Sequence, residues 1–139
     1  MVRDKDLIRD KKKLLPGSGM SYHKFKKPDY KILQTFDSPA QTVVSKVVFK
    51  TNEISALCPL TGQPDWYKIS ITYIPKKKCI ESKSAKLYFG AYRDYPAFIE
   101  TLAEMIFNDW MQACNPESLS VVLEMAPRGG IAIEVIKEI

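Results

Sequence analysis

Residues 66–74 carry the pattern that most narrows what this chain can fold into. Large apolar side chains occupy every second position there, at Tyr67, Ile69, Ile71 and Tyr73. A period of two is the repeat of a β-strand that buries one face, so the segment predicts a strand covered on one side by another layer. Dense apolar residues, many of them β-branched, predict further strands at 41–51, 119–125 and 131–136.

Two helical segments lie between the second and third of these strands. The first spans 82–92, with Ser82 or Ser84 as its N-cap and apolar residues along one side. The second follows Asp94, which is expected to cap it, and ends at Asn115, which precedes a proline. The predicted order is therefore β-β-α-α-β-β. It gives a two-layer α+β fold, an antiparallel four-stranded sheet with two helices on one face.

Positive charge is concentrated at the start of the chain. Residues 1–31 hold ten Lys or Arg and four Asp or Glu, a net charge of +6, whereas the whole chain carries +5. We therefore divide the 139 residues into a basic N-terminal arm, 1–40, and one catalytic domain, 41–139. Solvated leader segments of this kind usually bind neither nucleic acid nor an anionic cofactor, so nucleic acid is not an expected partner.

Cysteine and apolar content exclude several classes of protein. Three cysteines, at positions 58, 79 and 114, have no close pair, and the chain has a single histidine, His23. They form neither a disulfide framework nor a good zinc set, so no metal site is expected. No apolar run approaches the ~20 residues that span a bilayer, and residues 1–6 lack the apolar core of a signal peptide. A cytoplasmic protein without a membrane segment is the expectation.

The connection between the first two strands carries the most distinctive chemistry. Its residues 58–65 read Cys-Pro-Leu-Thr-Gly-Gln-Pro-Asp. Two prolines and a glycine prevent a helix here, so the Cys58 thiol and the Asp65 carboxylate can meet across a turn. That arrangement suits a nucleophile beside a proton donor. Taken singly, a cysteine is more often a small buried residue, and an aspartate commonly bonds its own backbone in a turn.

Two further segments can hold phosphate. Residues 81–88 read Glu-Ser-Lys-Ser-Ala-Lys-Leu-Tyr and place Lys83 and Lys86 on one face near a helix N-terminus, where unpaired N–H groups favour anions. Arg128 precedes two glycines, which allow a backbone to approach a ligand closely. Lysines at this spacing are also common on solvated helix faces. No Gly-x-Gly-x-x-Gly follows a strand, so a dinucleotide would not be bound as in a Rossmann fold.

The three segments together, 58–65, 81–88 and 127–131, resemble the NADPH-dependent 7-cyano-7-deazaguanine (preQ0) reductases of queuosine biosynthesis. The resemblance runs from about Phe49 to Ile133 and keeps the motifs in the family's order. It implies the tunnelling fold, in which two-layer units join side by side into a barrel of subunits with active sites at their boundaries. A homo-oligomer, pentamer or decamer, is the corresponding expectation.

The resemblance also implies a reaction and roles for individual residues. NADPH would reduce the nitrile of the substrate preQ0 to the aminomethyl group of preQ1 through a covalent thioimide. The expected catalytic residues are Cys58, as the nucleophile on the nitrile carbon, and Asp65, as the acid that protonates the nitrogen. The residues expected to contact the substrate are Glu100, Glu81 and Ser82. Those expected to hold NADPH are Lys83, Lys86 and Arg128.

One departure from the family pattern concerns the proton. The family places a histidine directly before the glutamate, whereas this chain has Ile99 before Glu100, and His23 lies far upstream. Isoleucine cannot donate a proton. We therefore expect a slow reductase in which Asp65, water or a group from a neighbouring subunit supplies the proton.

Two other functions stay open from the sequence. An amidinotransferase of the archaeosine type would form the same thioimide and resolve it with ammonia, but those relatives lack the full motif found at 81–88. A purine- or pterin-binding module with the same fold would have lost catalysis, and Ile99 is the observation in its favour. Consumption of NADPH on addition of preQ0 separates the reductase from both alternatives.

Overall fold

The structure, a computed structural model, describes Phe25, residues 27–39 and residues 46–139. Within these residues the chain forms one 3-10 turn, six β-strands and two α-helices. In order they are the turn Tyr30–Ile32, β1 Thr35–Asp37, β2 Val47–Leu57, β3 Pro64–Ile74, β4 Lys78–Ile80, α1 Ser82–Gly90, α2 Ile99–Cys114, β5 Ser118–Arg128 and β6 Ile131–Glu138. The predicted order β-β-α-α-β-β is confirmed by β2, β3, α1, α2, β5 and β6.

The four long strands form one antiparallel sheet in the spatial order β2-β3-β5-β6. At its centre, Ile71 pairs with Phe49 on β2 and with Val121 on β5. Every second residue of β3 from Asp65 to Tyr73 is buried, as the alternation predicts. The four-stranded sheet of the expected α+β fold is therefore confirmed. β3, β5 and β6 run longer than the predicted strands, whereas β2 is shifted toward the C-terminus from the predicted 41–51, of which residues 41–45 lie outside the described residues.

The two helices pack with this sheet around Trp110. Its indole is completely buried, and four aromatic rings lie 5.3–6.4 Å from it, centroid to centroid, those of Phe49, Tyr73, Tyr88 and Phe89. Three of these contacts are edge-on, the arrangement that aromatic quadrupoles favour. Side chains from β2, β3 and α1 thus meet α2 at one point, which fixes the sheet against the helices.

A second, two-stranded sheet is absent from the prediction. β1 pairs antiparallel with β4, with Thr35 opposite Ile80. Each strand has three residues, too few for a period of two to be visible, and the sequence predicts only a basic turn at 75–78. The Tyr73 hydroxyl accepts a hydrogen bond from the Ile80 N–H at 3.0 Å. This bond attaches the small sheet to the main one.

Part of the expected N-terminal arm is folded onto the domain. Ile32 and Leu33 are buried in the same core as the main sheet and the helices. The Gln34 N–H donates to the Ser84 hydroxyl of α1 at 2.9 Å. The folded body thus includes residues that the sequence assigns to the arm. Residues 1–24, with the single histidine, lie outside the described residues.

The predicted cap of α1 is wrong. Glu81, not Ser82 or Ser84, is the N-cap, and its carboxylate accepts hydrogen bonds from the backbone N–H groups of Lys83 and Ser84, both at 2.8 Å. A carboxylate has two oxygens, so it satisfies two of the unpaired donors of the first turn, whereas a serine hydroxyl satisfies one.

The predicted cap of α2 is also wrong. The helix begins at Ile99, and Phe98 occupies the N-cap position without a side-chain hydrogen bond. Asp94 cannot cap it, because the residues between are extended and pair with Leu57 at the end of β2. Asn115 ends the helix as predicted, in the left-handed conformation with φ of 43°.

β2 contains a β-bulge. Its pairing with β3 passes from Thr51 opposite Ile69 to Ile54 opposite Tyr67, so β2 advances by one more residue than its partner. The residues that follow, 54–56, are all buried. The prediction ends this strand at Thr51, before the bulge, because an inserted residue disrupts the alternation that identifies a strand.

The described residues lack two kinds of feature. No helix there is long and apolar enough to cross a membrane. The same part of the chain holds no group of three or more His, Cys, Asp or Glu that could bind a metal ion. Cys58, Cys79 and Cys114 are buried free thiols.

Replacing Ile32 by alanine tests whether the segment before β1 stabilises the domain. Ile32 is 6% exposed, so its truncation should leave a cavity and lower the free energy of unfolding by about 2–4 kcal/mol. Lys31→Ala, at an exposed neighbour, is the matched control and should change it by less than about 0.5 kcal/mol. Urea unfolding followed by tryptophan fluorescence measures both. Equal stability of the two variants would show that the segment contributes nothing to the core.

Candidate active site

Cys58 directly follows β2, in a loop that its own backbone closes. The Cys58 N–H donates to the Gln63 carbonyl and the Gly62 N–H donates to the Cys58 carbonyl, both at 2.8 Å. Gly62 has φ of +68°, a left-handed conformation that glycine adopts without strain. The Thr61 hydroxyl accepts from the Gln63 N–H at 3.2 Å. The segment with two prolines and a glycine is thus a tight turn that fixes the thiol at the end of the strand pair.

The surroundings of Cys58 lower the pKa of its thiol from an ordinary 9.0 to about 7. The largest cause is hydrogen bonding to the Thr61 side chain, followed by the backbone of Thr61 and Leu60. Burial opposes the shift, and the Arg128 side chain adds a small further decrease. About half of such a thiol is thiolate at neutral pH, and the thiolate is the nucleophile. Cys114 differs, because burial raises the pKa of its thiol to about 12.

Asp65 lies near the start of β3 and is buried. Arg128, at the end of β5, reaches across to it, and its Nη1 donates to Asp65 Oδ1 at 2.6 Å. The arginine side chain is 47% exposed, so the ion pair lies where the buried site meets solvent. Since Arg128 also lowers the pKa of Cys58, one guanidinium serves both the thiol and the carboxylate. The contact with Asp65 was not predicted, because the sequence suggests only a cofactor role for Arg128.

The first turn of α2 is held beside the end of β2 by the backbone of Leu57. The Leu57 N–H donates to the Tyr95 carbonyl at 3.0 Å, and the Leu57 carbonyl accepts from the Ala97 N–H at 3.1 Å. Glu100, which is expected to read the substrate, lies in that first turn and is exposed. It therefore stands at the same end of the sheet as the thiol and the buried carboxylate.

Tyr67 is a further polar side chain of this cluster, and the sequence assigns it only to the buried face of β3. Its hydroxyl is buried and has no hydrogen-bond partner among the described residues. Burial is the main reason that the pKa of this hydroxyl is raised to about 12. The charge on Asp65 raises it further, Arg128 opposes this, and Cys58 and Glu100 add smaller increases. The signal in the sequence is that Tyr67 follows Asp65 by two residues on one strand, and so shares its face.

The other predicted site residues lie on α1. Lys83 and Lys86 are exposed and stand one turn apart near the start of this helix. Ser82 and Lys86 line a groove between α1 and the part of β2 around Thr51. The Glu81 carboxylate already accepts two backbone N–H bonds of the helix, and its expected contact with the substrate stays a prediction.

The predicted site residues form two clusters, one around Cys58 and one on α1. The two clusters are separated along β2 within one chain. The groove at α1 lies beside Thr51, and Cys58 follows the end of the strand. At ~3.3 Å per strand residue, the distance between them along the strand is roughly 20 Å. The structure brings together Cys58, Asp65, Arg128, Glu100 and the unpredicted Tyr67. It leaves Glu81, Ser82, Lys83 and Lys86 in the second cluster.

Two known proteins with similar sequences carry the same name. The family model described as QueF-like protein matches residues 64–139. A protein of Nitrosomonas europaea named NADPH-dependent 7-cyano-7-deazaguanine reductase is 42% identical over 108 residues, which is 78% of this chain and 78% of that protein. A protein of the same name from Staphylococcus epidermidis is 39% identical over 132 residues, 95% of this chain and 78% of that one.

A solved structure shares the fold. The crystal structure of the archaeosine synthase QueF-Like in the apo form superposes with a TM-score of 0.65 at 26% sequence identity. The match covers 70% of this chain and 95% of the other. The two layers described above are therefore an arrangement that the solved protein also has.

Thr61 is expected to control the reactivity of Cys58. Thr61→Val removes the hydroxyl that contributes most to the lowered thiol pKa, so the pKa should rise from about 7 toward 9.0. A rise of about one unit would slow alkylation at neutral pH about fivefold. Thr61→Ser keeps a hydroxyl and is the matched control. Iodoacetamide labelling as a function of pH, with the site located by mass spectrometry, measures the pKa. An unchanged pH profile in Thr61→Val would contradict the hydrogen-bond account.

Proposed function

The chain belongs to the QueF-like protein family, and on that premise we propose that it catalyses the NADPH-dependent reduction of 7-cyano-7-deazaguanine (preQ0) to 7-aminomethyl-7-deazaguanine (preQ1), a step of queuosine biosynthesis. The resemblance inferred from three motifs is confirmed by the family match and by relatives that are named as NADPH-dependent reductases. The expected tunnelling fold is confirmed by the solved structure. We assign the reaction to the cytoplasm, where free thiols persist.

The observation that carries this proposal is the joint position of a reactive thiol and a fixed carboxylate. Cys58, with a thiol pKa of about 7, begins the turn that leads to Asp65. Arg128 holds that carboxylate by a 2.6 Å ion pair. Attack on a nitrile requires a thiolate for the carbon and a proton for the nitrogen, and the two ends of this turn supply one each.

The Asp65 carboxylate, ionised in its ion pair with Arg128, first takes the proton of the Cys58 thiol. The thiolate then attacks the nitrile carbon. A C–S bond forms, one π bond of the nitrile breaks onto the nitrogen, and the nitrogen takes this proton from Asp65 to give a thioimide. NADPH carries one hydride, so two NADPH molecules bound in turn would supply the two hydrides that convert the thioimide to an amine. The sulfur leaves as a thiolate, so the contacts from Thr61 that lower the thiol pKa favour both attack and release.

Asp65 carries the proton transfer in this proposal, because Ile99 cannot. Ile99 is buried in the hydrophobic core and has no donor group. The Arg128 guanidinium holds Asp65 Oδ1, while Oδ2 has no hydrogen bond within the described residues, so we assign Oδ2 to the substrate nitrogen. General acid catalysis is typically worth ~10²–10⁴-fold, and a site with one acid where the family has two is expected to be slow.

Glu100 is the residue we assign to the purine edge of the substrate. It is exposed in the first turn of α2, where the helix dipole favours a negative charge. An ionised carboxylate accepts two N–H bonds from a guanine-like edge. Glu81 and Ser82, the other substrate residues implied by the resemblance, lie on α1 and would reach the substrate from a neighbouring subunit.

The phosphate groups of NADPH suit the second cluster. Lys83 and Lys86 are exposed at the start of α1, and their ammonium groups are the ones we assign to phosphate. Arg128 uses one N–H in its ion pair with Asp65, and its other N–H groups are the ones we assign to phosphate.

Completion of this site calls for a second subunit. Within one chain, the lysines of α1 and the Cys58 cluster are roughly 20 Å apart along β2. β6 is an edge strand of the sheet, and Ile131, Ile133 and Ile136 on it are exposed. Pairing of β6 with β2 of the next subunit would cover both open edges. A ring of this kind, closed as a pentamer or doubled to a decamer, would bring α1 of one subunit toward Cys58 of another.

A second candidate is the archaeosine-type amidinotransferase. The observation that favours it is the likeness to a solved archaeosine synthase. That reaction shares the thioimide and resolves it with ammonia. The complete motif at 81–88, with two lysines placed for phosphate, favours the reductase.

Incubation with preQ0 should attach one molecule to each chain at Cys58. Intact-mass analysis should show the adduct in the wild type and in Cys79→Ala, a control that keeps the nucleophile, and should show none in Cys58→Ala. Addition of NADPH should then release preQ1, with a fall in the absorbance of NADPH. An adduct that consumes ammonia and not NADPH would establish the second candidate, and no adduct would exclude both.

Neutralising the lysines of α1 should separate cofactor binding from adduct formation. Lys83→Ala and Lys86→Ala should each raise the KM for NADPH about tenfold, since a charge-assisted hydrogen bond is lost, while preQ0 still attaches to the thiol. Arg128→Ala should impair both steps, because it also releases Asp65. Lys68→Ala, at an exposed lysine on β3, is the matched control. Unchanged NADPH kinetics in both α1 variants would contradict this assignment.

A further inference from the structure

Tyr67 presents a buried hydroxyl without a partner in the described part of the chain. Tyr67 is only 2% exposed, so bulk water does not reach its hydroxyl. Roughly nine in ten buried polar groups in proteins are paired, so an unpaired one calls for an explanation. The indole N–H of Trp110 is the other unpaired group among the described residues, and it lies in the hydrophobic core among aromatic rings.

The Tyr67 hydroxyl faces the reactive end of the sheet. Asp65 and Tyr67 are two residues apart on β3, and both are buried, so their side chains lie on the same face. The groups that act on the hydroxyl electrostatically are Asp65, Arg128, Cys58 and Glu100. These include the proposed nucleophile, its acid and the proposed purine reader. The hydroxyl therefore lies beside the residues that the substrate has to contact.

We propose that the Tyr67 hydroxyl is a substrate-binding group, which donates a hydrogen bond to the nitrile substrate when that substrate is bound by Cys58 and Glu100. This inference rests on the proposed function of that site. Because its pKa is about 12, the phenol keeps its proton at neutral pH and acts as a donor, not as the acid of the reaction. The bond is absent in the free protein and forms only in the complex, so it contributes fully to binding.

Two positions on the substrate can accept this bond, and kinetics separates them. A bond to the reacting nitrogen strengthens as charge grows there, so its loss lowers the rate of adduct formation at saturating preQ0. A bond to the purine ring is equal in the ground state and the transition state, so its loss raises the apparent dissociation constant at an unchanged maximal rate. Either result places the hydroxyl on the substrate.

The test compares Tyr67→Phe with Tyr73→Phe, two buried tyrosines on the same face of the same strand. Tyr73 already accepts a bond from the Ile80 N–H, so its variant should lose thermal stability and keep its adduct kinetics. Tyr67→Phe removes an unpaired hydroxyl, so it should melt at the same temperature as the wild type or higher. Its second-order rate constant for adduct formation with preQ0 should fall about 5- to 100-fold.

The inference thus predicts that Tyr67→Phe keeps or gains thermal stability while its adduct formation slows, and this combination distinguishes it from a structural role. A lower melting temperature together with slower adduct formation in Tyr67→Phe would show that the hydroxyl has a structural partner in the free protein, and would overturn the inference. Unchanged adduct formation in Tyr67→Phe, with an active wild type, would overturn it as well. If the wild type forms no adduct with preQ0, the proposed function itself is wrong. Adduct formation by the wild type is therefore measured before that of either variant.

Discussion

Two backbone hydrogen bonds made by Leu57 hold the reactive end of this molecule together. They join the last residue of β2 to the segment that leads into α2, so the sheet and the helix layer share one edge there. Backbone bonds do not depend on side-chain identity. These two bonds are therefore available whichever side chain stands at position 99. They keep the proposed reader Glu100 at the same end of the sheet as the proposed nucleophile Cys58, although an isoleucine stands between the cap and the glutamate.

The ion pair between Asp65 and Arg128, unlike the Leu57 bonds, depends on which side chains are present. Asp65 is buried, and a buried carboxylate without a partner is far more costly than the pair itself is stabilising. Arg128 is thus needed wherever Asp65 stays charged. An arginine that also binds phosphate would then couple the two halves of the site, since one guanidinium would contact both the carboxylate and the phosphate.

The elements that the sequence predicts well are those with a long, uninterrupted period. The alternation along β3 gives the buried face, and the helical spacing of α2 gives the core residues around Trp110. What the sequence does not predict depends on contacts between distant residues. β1 and β4 are too short to show a period, and the hydrogen bond between Arg128 and Asp65 joins residues that are 63 positions apart. The role of Tyr67 requires knowing that its hydroxyl has no partner, which no pattern of residue types reveals.

The bulge in β2 constrains the position of the turn that begins at Cys58. One extra residue between Thr51 and Ile54 sets which face every later residue of the strand occupies. Deletion of that residue would exchange the two faces from Ile54 onward, so Ile54 and Ala56 would leave the core and the turn that begins at Cys58 would be displaced with them. The length of this strand therefore constrains the position of the thiol as strictly as the identity of any side chain does.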